Sequence, residues 1–144
     1  MHSVPTNLTS WQRAWRDGIV PQLSTVGLRN LKAALERNDP QMVTGASVVP
    51  PPLQGVLGCP VQACCPLCWG LLDGLEPCQI TVGQMEERFA LACGRADALL
   101  GEPAGIRHFL NRIDEWTRQD LIWHLLPEVH RALAQRHNRI AVVG

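Results

Sequence analysis

The sequence predicts a single all-α domain over residues 1–144, built from five or six helices, with an extended proline-rich segment of residues 40–57 packed on it. Three observations lead there. Apolar residues recur at helical spacing in both the first and the last third of the chain. Two Thr-x-x-Gln boxes, Thr9 with Gln12 and Thr81 with Gln84, mark helix starts, because the hydroxyl and the amide each satisfy one orphan backbone N–H. Between the helical ends, residues 40–72 carry no charged side chain at all.

The first helix is expected from Thr9 or Ser10, with Trp11, Trp15 and Ile19 on one face and Pro21 ending it. A second spans about Ser24 to Arg37 on the stripe Leu28, Leu31, Leu35, and Asn38-Asp39-Pro40 stops it. The triplet Pro50-Pro51-Pro52 cannot continue a helix and favours an extended connector. Residues 59–72 read as a short buried helix opening at Pro60, with Pro66 kinking or breaking it.

The clearest helix follows Thr81. Ile80 and Met85 form a hydrophobic staple, Phe89, Ala92, Ala96 and Leu99 continue the stripe, and Gly101 closes it. Pro103 is expected to start the next helix, carrying Ile106, Phe109, Leu110 and Ile113 inward. Thr117 with Asp120 starts another, in which Pro127 either kinks the helix or opens a final one to about His137. The end, Ile140 to Val143, reads as β-prone. Residues 1–8 and 139–144 are expected to be flexible tails.

Composition narrows the function classes. Thirteen basic and thirteen acidic residues leave no net charge, so neither a nucleic-acid partner nor a basic membrane-surface role is expected. Residues 1–9 lack the apolar core and cationic start of a secretory signal peptide, and residues 56–72 are too short and too rich in Pro and Gly for a membrane span. A cytoplasmic location, where thiols stay reduced, follows as the expectation. Twelve of the thirteen basic residues are arginine, a bias that points to a GC-rich bacterial or phage source.

Six cysteines, at 59, 64, 65, 68, 78 and 93, are the most unusual feature. Cys65 and Cys68 have zinc-knuckle spacing, and Cys59 or Cys64 with Cys78 would complete a thiolate set for zinc, Cys59 being preferred, although a second such pair is missing. Plant-type iron–sulfur spacing fails by one residue whichever of Cys64 and Cys65 is used. Cys65-Pro66-Leu67-Cys68 also has the form of a redox dithiol, without the βαβ unit that usually carries one. The bland alternative is that these are small buried residues in a core helix, and no cofactor is then expected.

Other candidates are weaker. His108, His124, His130 and His137 have no sequence-placed nucleophile beside them and read as solvated helix surface. Arg107, Arg112, Asp114 and Glu115 read as an exposed ion-paired face. The proline triplet lacks the basic flank of a docking motif. Trp11 and Trp15, one turn apart, could anchor a partner or cover the core. With no catalytic signature, the expected role is a non-enzymatic interaction or accessory protein, with a protein partner or a second copy of itself. Zinc binding and thiol redox chemistry are the alternatives.

Overall fold

A computed structural model describes the backbone of residues 8–143 and the side chains of residues 8–139. Most of the predicted tails, residues 1–7 and 144, lie outside the described residues. The fold is mostly helical: six α-helices and one two-stranded sheet among the described residues.

Helix α1 (Ser10–Arg13) opens on the predicted Thr9–Gln12 capping box. It then widens into a π-helical turn, Ala14–Ile19, and tightens into a 3₁₀ turn, Val20–Gln22. Pro21 therefore does not end the helical path at Ile19, because Val20 stays helical (φ −49°, ψ −43°) and the chain straightens only at Leu23. The wide turn explains the spacing of Trp11, Trp15 and Ile19. In a regular α-helix, eight residues overshoot two turns by roughly 80°; a wider turn removes the overshoot, and Trp15 and Ile19 are both fully buried. Pro21 has no N–H to give, and the Gln22 side-chain amide donates to the Gly18 carbonyl instead (3.2 Å).

Helix α2 (Thr25–Glu36) starts on Ser24, whose hydroxyl accepts from the Gly27 amide. Leu28, Leu31 and Leu35 are buried as their spacing predicts. The middle of the chain then folds back on itself. Strand β1 (Val48–Val49) pairs antiparallel with β2 (Ala63–Cys64), and Met42 bridges to Cys64 from the other side. Pro60 does not open a helix. It forms a bridge to Thr81, and residues 61–64 run without helix into β2. Pro66 starts helix α3 (Pro66–Leu71) rather than breaking one, since it forces Cys65 to be extended (φ −73°, ψ 167°) and its own fixed φ suits the first helical position. From Cys64 to Gly70 every residue is buried. Helix α3 crosses α2 closely: a methyl group on Gly27 would overlap the Gly70 carbonyl, a backbone atom that cannot swing away.

Helix α4 (Val82–Leu100) has the predicted capping box at Thr81–Gln84, a buried Ile80–Met85 pair, and Gly101 in the left-handed conformation after it (φ 66°). Helix α5 (Arg107–Glu115) begins four residues later than Pro103. Ala104 adopts φ 57°, which no helix contains, and the Asp97 carboxylate accepts from the Ile106 amide (2.9 Å) to set the new start. Helix α6 (Arg118–Val143) is continuous through Pro127. Pro127 and Trp123 are both exposed, so the Trp123 carbonyl that loses its usual donor lies on the water side. The backbone of residues 139–143 is helical, not β, because extending an existing helix gains one hydrogen bond per residue fixed.

Helix α4 packs on the π turn, and α6 on α2. Two aromatic contacts join α5 to the N-terminal helix: Trp15 stacks on Phe109 (5.5 Å), and Trp11 meets Trp116 edge-on (4.9 Å). The one buried charged residue among the described residues is Glu128, which receives both arms of Arg16 at 2.8 Å and the Gln12 amide at 3.4 Å. Removing one partner of such a pair strands the other. Glu128→Ala is therefore expected to destabilise the fold by about 3 kcal/mol, the low end for a broken buried pair since Arg16 keeps some contact with water. Urea unfolding of the two proteins measures this, and a change below about 0.5 kcal/mol would contradict it.

Candidate functional site

The strand-to-helix junction at residues 63–68 is where chemistry-bearing groups converge. The Cys64 backbone is held twice, its N–H by the Gln41 carbonyl (2.9 Å) and its carbonyl by the Val43 amide (2.9 Å). The Cys65 N–H donates to the Ser47 carbonyl (2.9 Å), and the Cys65 carbonyl accepts from Trp69, closing the first turn of α3 (2.8 Å). Cys65 thus occupies the N-cap position of α3, with Cys68 one turn along.

Four thiols sit in or beside this core: Cys64, Cys65 and Cys68 are buried and Cys93 of α4 is half-buried. Their surroundings drive them apart. Contact with the Cys68 thiol, and with the backbone amides of Cys68 and Leu67, draws Cys65 below the ordinary thiol pKa in spite of burial. None of these donors reaches the geometry of a full side-chain cap, so the anion is favoured by several weak donors rather than one strong one. Cys68, through the same thiol contact and through burial, is pushed well up. Burial raises Cys64, and burial with the Asp97 charge raises Cys93 to about 11.

Cys65 alone of the four lines a surface groove of about 150 Å³, shared with Ser47, Phe89, Arg107, Asn111 and Asp114. Asp114 accepts from the Gly45 amide (2.9 Å), which ties the loop before β1 to α5. Cys65 is 3% exposed and Cys68 fully buried, so the groove is the way in.

The residues nominated for zinc are not brought together. Cys59 and Cys78 are exposed, one beside the Pro60–Thr81 bridge and the other in the 3₁₀ turn Pro77–Gln79, whereas Cys65 and Cys68 are inside. Among the described residues no group of three or more His, Cys, Asp or Glu is placed to hold a metal ion. Trp11 (8% exposed) and Trp15 (fully buried) are used within the core, which leaves neither indole free to anchor a partner. The exposed indole is Trp123, at 78%. Its phase could have been read from the sequence. It lies two residues from both Leu121 and Leu125 of the buried stripe, hence on the opposite side of α6. Among the described residues no helix is long and apolar enough to cross a membrane. Comparison with protein-family models, with curated proteins and with solved structures found no match.

The thiol environment has a direct consequence for stability. Cys64, Cys68 and Cys93 have folded pKa values raised above the ordinary 9.0, so in the unfolded chain they release protons near pH 9 while the native state keeps them. Their contribution is complete below pH 9 and is lost as pH rises through the folded values, with Cys93 reaching its own at about 11. Cys65, lowered instead, opposes this trend alone. The chain has no tyrosine and one lysine, so few other groups titrate in that window. Urea midpoints in excess reductant are expected to fall steadily between pH 9 and 11, and less steeply in Cys93→Ala. A flat profile would show that the thiols are not held protonated in the fold.

Proposed function

We propose that this protein acts in thiol–disulfide exchange, with Cys65 as the attacking thiol and Cys68 as the resolving thiol. The observation that supports this most directly is the placement of the pair: Cys65 caps α3 and lines the groove, with Cys68 buried one turn along, and the donor contacts at the Cys65 sulfur draw that thiol down. A shared helical turn places their α-carbons about 5 Å apart, inside the range that disulfides span.

The chemistry balances as a two-electron exchange. The Cys65 thiolate attacks one sulfur of a substrate disulfide; that S–S bond breaks, and the far sulfur leaves as a thiolate and takes up a proton. Cys68 then loses its proton and attacks the Cys65 sulfur. The mixed disulfide breaks, the second substrate thiol leaves, and a Cys65–Cys68 disulfide remains. The substrate is reduced and the protein oxidised; a separate dithiol donor must return the protein to its starting state. A groove of about 150 Å³ admits a small disulfide or a flexible peptide carrying one, not a folded surface.

Single-cysteine variants test the assignment. With a small aromatic disulfide as substrate, the native reduced protein is expected to form the Cys65–Cys68 disulfide. Cys68→Ser should stall with substrate bound to Cys65, and Cys65→Ser should lose the fast reaction; mass spectrometry of the trapped species distinguishes the three. Should Cys65 react only after denaturation, the thiols are packing residues and the proposal fails.

A second reading, protein interaction, rests on Trp123. An indole so exposed, flanked by half-buried Ile122 and by Gln119 and Asp120, has the character of an interface anchor. Trp123→Ala is expected to change stability by no more than about 0.5 kcal/mol, while concentration-dependent self-association, followed by sedimentation, disappears. A native chain that stays monomeric at all concentrations would remove the self-association form of this reading.

A further inference from the structure

A groove of about 620 Å³ runs between α2 and α6, far larger than the one at Cys65. One wall is α2, through Arg29, Lys32 and Glu36; the other is α6, through His130, Arg136 and His137. Ala33, Leu133 and Ala134 also line it, so the charged groups surround an apolar strip.

The charges in this groove do not cancel. Three cations line it against one carboxylate, in a chain whose net charge is zero. Glu36 lies 3.8 Å from Lys32 and serves that cation. Arg29 has no carboxylate within ion-pair distance among the described residues. Arg136 is fixed by neutral acceptors, the Val20 carbonyl (2.8 Å) and the Thr25 hydroxyl (3.3 Å). A guanidinium carries five N–H donors, so these two bonds orient Arg136 without exhausting it. Its pKa is lowered by burial and by the neighbouring charge of Arg139.

We infer that this groove binds a small phosphorylated ligand. Phosphate oxygens match the planar donor fork of arginine, and a second cation one helical turn from Arg29 fits a ligand with two phosphate groups. The imidazoles of His130 and His137 add donors from the opposite wall. The size lies within the range of small-molecule sites, and the apolar strip suits the non-phosphate part of the ligand. Three cations in a groove bounded by two helices, on a neutral chain, favour a compact anion over a nucleic-acid strand.

Calorimetric titration of the whole protein with inorganic pyrophosphate tests this. One site per chain is expected, with Kd below about 1 mM at low salt and weaker binding as salt is raised. Arg29→Gln combined with Lys32→Gln changes two side chains at the solvent edge, and should weaken binding at least tenfold while leaving the urea midpoint unchanged. Arg136→Gln should weaken it as well, with some loss of stability from its contacts to Val20 and Thr25. Absence of saturable binding, or equal binding by the Arg29/Lys32 variant, overturns the inference. So does a single-stranded oligonucleotide that binds more tightly than pyrophosphate. Cys65→Ser should bind pyrophosphate like the native chain, which keeps this site separate from the thiol chemistry.

Discussion

Most of the structure hangs on the backbone of one residue. Cys64 is paired on one side with Val48 and on the other with Met42, so the uncharged middle of the chain is tied down from two directions at that point. An uncharged segment has no ion pairs to place it, and a proline-rich one has few amide donors to offer. Main-chain pairing at Cys64 replaces both. Once that register is set, Pro66 must begin a helix, α3 must enter the core, and Gly70 must lie under Gly27. A slip of one residue would turn the buried Cys64 outward.

The thiol pair inherits its properties from the same junction. Because Cys65 has to be extended before a proline, it takes the N-cap position of α3 and not a place within the helix. That position brings amide protons towards its sulfur, while Cys68, one turn on, is buried beside other thiols. Two chemically identical groups three residues apart thus end in opposite electrostatic settings. The asymmetry comes first from the contact between the two thiols, and then from burial and the backbone amides at the start of α3.

How much of this the sequence disclosed depends on the range of the interaction involved. The boxes at Thr9 and Thr81, the staple of Ile80 with Met85, and the stripe of Leu28, Leu31 and Leu35 are local, and each stands where its spacing says. Proline was readable only in part. The rule that Pro breaks a helix and the rule that it begins one both apply to Pro66, and pairing by Met42 and Val48, remote in sequence, decides between them. Ala104 in a left-handed conformation has no sequence signal, so the late start of α5 could not be foreseen. Cys64, Cys65 and Cys68 were legible as neighbours in sequence, whereas Cys93 joins them only through the packing of α4 and Cys59 stays exposed. The opposed protonation of Cys65 and Cys68 was not legible, since it depends on which residue caps α3. Glu128, an ordinary helical glutamate in sequence, becomes a core residue only because Arg16 reaches it from far along the chain.

Helix α6 makes its polar contacts almost entirely with the first third of the chain. Arg118 reaches the Met42 carbonyl, Glu128 holds Arg16, and Arg136 holds Val20 and Thr25. These partners are separated by 76 to 116 residues. Contacts of such long range close large loops, and they form late. During synthesis the N-terminal helices leave the ribosome long before the segment that completes them. Until then Arg16 lacks its Glu128 partner and the side of α2 that meets α6 has no cover, so the domain stays unfinished until α6 emerges. Helix α6 acts as the clasp of the domain.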